Sequence, residues 1–380
     1  MWLTSTEALA RLGSKPQTLY ANVSRGRITA RPDPEDSRKS LYSSEDVERL
    51  AKRTRGRRSA RVVAEETVKW GDPIFPSSLS TIVGGRLYYR GQDVVELSRS
   101  ASLEDMATLL WDGEWQGAFA PPKAPAGGIA AAFVALAQRA GHDVPSYGRA
   151  VQALRPEAGS ILMTVAAALT GPTKGLVHQR LAQLFDRPAA EDLLRRALVL
   201  LADHELNSST FSARVAISTG TTLAAGTLAG LGALSGPLHG DASAGVFSLV
   251  DRAVDIGAGA AVREWLGQGR DLPAFGHPLY PDGDIRAAEL LRLFALPQAY
   301  GDLKFAAEEI TGTKANIDFA LAGLTAAFDL PRSAPLTVFA MARTVGWLAH
   351  MLEQIGSPHL IRPRARYVGP TIPVTLPSQS

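Results

Sequence analysis

At 380 residues the chain is too long for one ordinary domain, so two or three units are expected. A hydrophobic share of 46% with 20% charged residues describes a soluble globular protein with a large core, not a disordered or fibrous chain. With no cysteine, disulfides, thiolate nucleophiles and cysteine–zinc sites are excluded; the composition fits a reducing, cytoplasmic setting, and residues 1–12 show no basic-then-apolar leader pattern. The net charge of +3 is unevenly spread: residues 1–60 hold 13 Lys and Arg against 7 Asp and Glu, a net of +6, so the other 320 residues carry −3. A basic head on a mildly acidic body predicts that the head meets something anionic.

Thr4-Ser5-Thr6-Glu7 is a capping-box pattern that opens a short helix to about Arg11, and Ser14-Lys15-Pro16-Gln17 opens a second to about Ser24. Residues 28–42, with Pro32, Pro34 and a charged tip at Asp36, Arg38 and Lys39, read as a hairpin wing. Ser43-Ser44-Glu45-Asp46 caps a third helix to about Lys52, and residues 53–58 form a basic linker. The order helix, turn, helix, wing, helix resembles the winged helix-turn-helix heads of the MerR and excisionase families. That resemblance implies DNA contacts from Gln17, Thr18, Tyr20 and Asn22 to bases and from Lys15, Arg25, Arg27, Arg38 and Lys39 to phosphates. The plainer alternative is a basic cap that only packs or assembles.

Beyond residue 61, Ser80-Thr81-Ile82 and Arg86-Leu87-Tyr88-Tyr89 flank Gly84-Gly85 and predict a short β-ribbon. Nearly everything after it reads as helix: 103–111, 128–140, 147–154, 159–169, 190–204, 210–234, 244–267, 285–294, 303–311, 319–328 and 336–355. The run 213–234 is long enough to span a membrane, but Arg214 and its many Thr, Ser and Gly residues place it inside a bundle. The tail from 362 is proline-rich and irregular.

Three segments carry candidate chemistry. In Ser235-Gly236-Pro237-Leu238-His239-Gly240, two helix breakers hold His239 in a turn. Phe275-Gly276-His277-Pro278 holds a second histidine in the same way, and Asn316-Ile317-Asp318-Phe319 offers a carboxylate. Each alone also reads as structural: the histidines as turn residues, Asp318 as a helix N-cap. Gathered in one pocket, two imidazoles and a carboxylate form an acid/base site. His204, Asn207, Phe211 and Arg214 recur at helical spacings on one side. Arg343 lies on an apolar helix face and Arg286 follows Asp284, and a buried arginine needs an anion. No phosphate loop, dinucleotide fingerprint, zinc motif or serine-hydrolase elbow is present, and no metal or cofactor is expected.

From about residue 67 onward these motifs, in this order, resemble the citrate synthase family. The resembling stretches are 204–214, Gly236-Pro237-Leu238-His239-Gly240, Phe275-Gly276-His277, Asp284-Ile285-Arg286-Ala287, Asn316-Ile317-Asp318-Phe319, 342–350 and Arg362-Pro363-Arg364. The resemblance implies a mainly α fold with a large and a small helical domain, preceded by the head. The corresponding segments are 1–58, 59–240 and 330–380 for the large domain around 241–329 for the small one. It implies a homodimer that condenses acetyl-CoA, as co-substrate, with oxaloacetate. Asp318 would be the base, His239 would hydrogen-bond the thioester oxygen, and His277 would polarise the keto group. His204, Asn207, Arg286, Arg343 and Arg362 would hold the oxaloacetate, Arg362 from the partner subunit. Asp241, Ser243 and the Pro278-to-Gly283 segment, which lacks a basic residue and carries Asp282, depart from the family pattern on the side where coenzyme A would bind, and Ala315 replaces a frequent proline before the aspartate segment. They leave open a 2-methylcitrate synthase using propionyl-CoA, or a DNA-binding regulator whose body only senses metabolites.

Overall fold

The computed structural model describes residues 2–12, 19, 22–24, 26–34, 36, 39–55, 75–113, 127–171, 173–357, 359–365 and 367–370. The chain divides into two compact units, Met1–Pro76 and Ser77–Ser380.

In the first unit the helix Ser5–Leu12 is opened by Thr4, which accepts from the Glu7 amide (3.4 Å) while Glu7 accepts from the Thr4 amide (2.8 Å). Strands Trp2–Leu3, Ser40–Ser43 and Ala30–Pro32 form an antiparallel sheet in that order, and the helix Ser44–Arg55 follows directly. Leu3, Ala8, Leu19, Ile28, Tyr42 and Val47 make its small core. Most of the expected second helix falls outside the described residues, although 22–24 are helical.

The second unit opens with the β-ribbon Ser80–Val83, Arg86–Tyr89 and Gln92–Asp93. Helices follow nearly throughout, ending with the 23-residue Ala334–Gly356. That last helix is buried along most of its length, and the indole of Trp111 donates to its Val345 carbonyl (3.0 Å). Among the described residues no helix is long and apolar enough to cross a membrane.

Several helix bounds differ from expectation for local reasons. The run 210–234 is two helices, Ser208–Ile217 and Leu223–Leu234, because Gly220 turns the chain at φ 81° and Thr222 caps the second helix through the Ala225 amide (3.1 Å). The run 244–267 likewise breaks at Gly257 into Ala242–Ile256 and Ala258–Gly267. Conversely, 147–169 contains one helix, Val151–Thr170, which accommodates Pro156 near its start. The amphipathic helix Val177–Phe185 adds to the expected set, with Val177 and Leu181 at helical spacing on its buried face.

Two hydrophobic cores lie within this unit. The larger gathers Leu79 to Leu234 and Ala334 to Leu352; the smaller gathers Val246 to Ala274, Tyr300 to Ala307 and Phe319. Among the stretches of chain that pass from one core to the other are 235–245, 276–286 and the helix Ile317–Ala327, which contributes Ile317, Leu321 and Leu324 to the larger core and Phe319 and Ala322 to the smaller. These stretches carry His239, His277 with Arg286, and Asp318.

Candidate active site

His239 sits in a tight turn closed by His239 N–H to the Gly236 carbonyl (3.0 Å) and Gly240 N–H to the Leu234 carbonyl (2.9 Å). A Cβ at Gly240 would lie 2.7 Å from that same Leu234 oxygen, so only glycine permits the approach. Nε2 of His239 is 2.9 Å from Ser209 Oγ. Trp347 Nε1–H donates to the same oxygen (3.1 Å), and Asn207 Oδ1 lies 2.7 Å from it. Ser209 therefore has one proton and two takers. When it goes to His239 Nε2, the imidazole proton moves to Nδ1, which no described residue engages.

His277 and Asp318 are stitched together by backbone. Phe275 bridges Ala315, Gly276 N–H donates to the Lys314 carbonyl (2.7 Å), and Asn316 N–H donates to the Ala274 carbonyl (2.9 Å). The Asn316 amide reaches back to the Gly276 carbonyl (3.1 Å). His277 Nδ1 accepts from the Leu279 amide (3.2 Å), which puts the imidazole proton on Nε2. Asn316, not Asp318, caps the helix Ile317–Ala327, accepting from the Asp318 amide (3.0 Å). Asp318 is thereby released from capping, and its Oδ1 is sealed from solvent with no hydrogen-bond partner. Ser243 holds the same residue from the other side by donating to its carbonyl (3.1 Å).

His204 follows the helix Glu191–Leu201, and its Nε2 is 2.9 Å from the Tyr280 hydroxyl. Its ring lies 5.1 Å from that of His277. Arg286 forks onto Asp284 through two 2.9 Å contacts, and Asp284 also accepts from the backbone amides of Arg286 and Ile317 (3.0 Å each). Arg343 is 1% exposed, donates through Nε to the Leu201 carbonyl (3.0 Å), and has Nη1 buried without a partner. Its guanidinium covers Phe339 (4.9 Å), whose ring meets His239 edge-on (6.1 Å).

Electrostatics mark this as one cluster. Burial drives His204 well below the usual histidine range, and Arg286, Arg343, His277 and His239 push the same way. Burial, with Arg343, lowers His239 to about 4; burial, with Arg286, lowers His277 to about 4. All three imidazoles are neutral at pH 7. Burial raises Asp318 to about 7, even against the pull of Arg286 and Arg343. A carboxylate poised at neutrality among neutral imidazoles can exchange a proton with a weak carbon acid while N–H donors steady the charge that develops.

His204, His239, His277, Arg286, Asp318 and Arg343 are thus brought together. Asn207 sits beside them as the cap of Ser208–Ile217, its amide occupied by the His204 carbonyl and Thr210 Oγ1. Arg362 is exposed on the extended C-terminal segment and makes no described hydrogen bond or ion pair with the cluster. In the first unit Arg27 and Lys39 are exposed, Lys39 beside Asp36 (3.3 Å), whereas Asn22 is buried and does not face a groove; Lys15, Gln17, Thr18, Tyr20, Arg25 and Arg38 lie outside the described residues. Ser209, Tyr280 and Trp347 were not singled out as site residues. The signal for Tyr280 was its place three residues after His277 in a Pro/Gly turn. Among the described residues no group of three or more His, Cys, Asp or Glu is arranged to hold a metal.

Comparison with known proteins adds to this geometry. Residues 121–364 match a family model described as the citrate synthase C-terminal domain. The chain is 31% identical over 346 residues to citrate synthase 2 of Bacillus subtilis (strain 168), covering 77% of this chain and 93% of that protein. It shares the fold of a ternary complex of citrate synthase from Thermoplasma acidophilum with carboxymethyl coenzyme A and oxaloacetate. There the TM-score is 0.65, the identity 24%, and the coverage 80% of this chain and 96% of that one. The Thermotoga maritima MSB8 citrate synthase superposes with a TM-score of 0.63 at 26% identity, over 81% and 96% of the two chains.

Proposed function

This chain belongs to the citrate synthase family, and we propose that it condenses acetyl-CoA with oxaloacetate to give citrate and coenzyme A. The observation that carries the reading is Asp318: a sealed carboxylate without a partner, raised to about 7 by burial, beside two imidazoles of about 4. A base of that strength suits an acyl-CoA methyl group only if the enolate oxygen is steadied at the same moment.

In the proposed mechanism Asp318 takes a proton from the acetyl methyl group. When Ser209 turns its proton from Asn207 Oδ1 to His239 Nε2, the imidazole carries its own proton on Nδ1 and hydrogen-bonds the thioester oxygen. The enol carbon attacks the keto carbon of oxaloacetate, and His277 Nε2–H donates to the oxygen that becomes the hydroxyl. Water then cleaves the citryl thioester, releasing coenzyme A. Arg343 Nη1, Arg286 and His204 would hold the two carboxylates, and Asn207 would shape the turn that presents His204. The exposed Arg362 would reach the oxaloacetate of a partner subunit, which makes the working unit a homodimer. The chemistry draws on proton transfer and carbon–carbon bond formation by side chains, with acyl-CoA as co-substrate and no metal. The lack of cysteine suits a cytoplasmic setting.

Thiol release from acetyl-CoA plus oxaloacetate, with citrate identified as product, tests this. A protein that binds oxaloacetate but releases no thiol would be a sensor, and one that prefers propionyl-CoA would be a 2-methylcitrate synthase. For the first unit we propose a winged helix-turn-helix that binds DNA, supported by its sheet, its two described helices and the net +6 of residues 1–60. Affinity for duplex DNA should fall roughly 10³-fold between about 50 and 200 mM salt if some six phosphates are contacted. Full retention of that affinity in a chain lacking residues 1–58 would remove the assignment.

A further inference from the structure

Tyr280 lies in the turn that carries His277, held by Tyr280 N–H to the His277 carbonyl (2.9 Å) and Gly283 N–H to the Tyr280 carbonyl (3.0 Å). It is 2% exposed. Its ring touches three groups assigned above to the keto-diacid. The His277 ring is 5.0 Å away, the His204 ring 5.6 Å, and Arg286 Cζ stands 5.2 Å from its centre. Packing does not require the hydroxyl, since phenylalanine would fill the same space. A buried hydroxyl left unbonded is destabilising. Here it bonds His204 Nε2 at 2.9 Å, across 76 residues of chain.

We propose that the Tyr280 hydroxyl is a positioning group: it donates to His204 Nε2, holds the imidazole proton on Nδ1, and so makes His204 a neutral N–H donor to a carboxylate of the keto-diacid. The inference rests on the oxaloacetate reading of the pocket. The direction of the hydrogen bond follows from two neutral partners. Burial lifts the phenol to about 12, so it keeps its proton, and burial keeps His204 uncharged. Between a phenol and a neutral imidazole, the phenol is the stronger acid and the imidazole nitrogen the stronger base, so O–H donates to N. His204 Nδ1 is engaged by no described residue. A third donor without a third positive charge suits this site, because Arg286 and Arg343 already supply the cations and an imidazolium beside them would be repelled.

Tyr280→Phe removes only the hydroxyl. The expected result is about a tenfold rise in the oxaloacetate KM, the loss of one hydrogen bond to a charged group. Turnover and the acyl-CoA KM should stay within about threefold, and the thermal midpoint should fall by no more than a few degrees, because one buried hydrogen bond is lost. A merely structural tyrosine would instead lower the midpoint with the oxaloacetate KM unmoved, or move all kinetic constants together. The second measurement needs no variant to fold and no turnover: the nitrogen-15 imidazole spectrum of the wild-type chain, with His204 assigned by through-bond correlation to its own backbone. A proton on Nδ1 supports the proposal, and one on Nε2 overturns it. Unchanged oxaloacetate affinity in Tyr280→Phe, by calorimetry or KM, also overturns it. A wild-type chain that makes no citrate but binds oxaloacetate would sink the enzymatic reading above, while the spectrum and the binding comparison still decide the role of Tyr280.

Discussion

Two corners of one pocket treat their buried charges differently. At the first, Arg286 forks onto Asp284, and each Asp284 oxygen also takes a backbone amide, one from Arg286 and one from Ile317. At the second, Arg343 has only the Leu201 carbonyl for its Nε, its Nη1 has no partner, and Asp318 Oδ1 has none either. Burial lowers Arg343 to about 10, whereas Asp284 overcomes the effect of burial on Arg286 and raises it. The first corner is complete without any ligand. It ties the turn after His277 to the start of the Asp318 helix. The second leaves a cation and a carboxylate that a ligand must satisfy, at about 1–3 kcal/mol for each unmet group. The difference separates groups that hold the site together from groups that act on what enters it.

The sharpest way to break that division is Asp318→Asn. The amide is nearly the same size but cannot take a proton, so turnover should fall roughly 10³-fold, as for loss of a general base. Oxaloacetate affinity, measured by calorimetry, should change by less than about threefold. Turnover within tenfold of the wild type would mean that the orphan carboxylate is not the base.

The opposite corner should fail in the opposite way. Asp284→Asn leaves Arg286 buried without its counter-charge, and breaking one side of a buried pair costs about 3–5 kcal/mol. The readout is the thermal midpoint, which should drop by several degrees before any kinetic effect is considered. A variant that kept the midpoint and lost only oxaloacetate binding would move Asp284 from scaffold to ligand contact.

Much of this division could be read from residue order. Gly236, Pro237 and Gly240 around His239, and Gly276 and Pro278 around His277, are backbone punctuation, and punctuation is local. Arg343 stood out because an arginine on an apolar helix face must find an anion. Asp318 was ambiguous because a carboxylate at the head of an apolar run resembles a cap. In the folded chain Asn316 does the capping. The contacts that choose tautomers were not legible. Trp347 reaches Ser209 across 138 residues and Tyr280 reaches His204 across 76, and no local pattern encodes such meetings. The long apolar run 213–234 concealed its own break at Gly220, because small residues suit a helix and a turn alike.

The dependence on pH is the most diagnostic, because it asks whether Asp318 is poised or merely buried. With its carboxyl raised to about 7, kcat/KM should climb about tenfold per pH unit below that value and level off above it. His239 and His277, at about 4, stay neutral across this range and add no second limb above about pH 5. Stability should respond to Asp318 in the reverse sense. Its folded value lies above the ordinary 3.8, so its contribution is full below that pH and is lost as pH rises through about 7. The two lowered histidines act oppositely: their contribution is present above the ordinary 6.5 and is lost as pH falls through about 4. Activity should therefore rise over the same interval in which Asp318 withdraws its share of stability, an interval bounded by 3.8 and about 7. A rate profile with its acid limb near 4 would place Asp318 among ordinary ionised carboxylates. The contrast between the satisfied and unsatisfied corners would then rest on Arg343 alone.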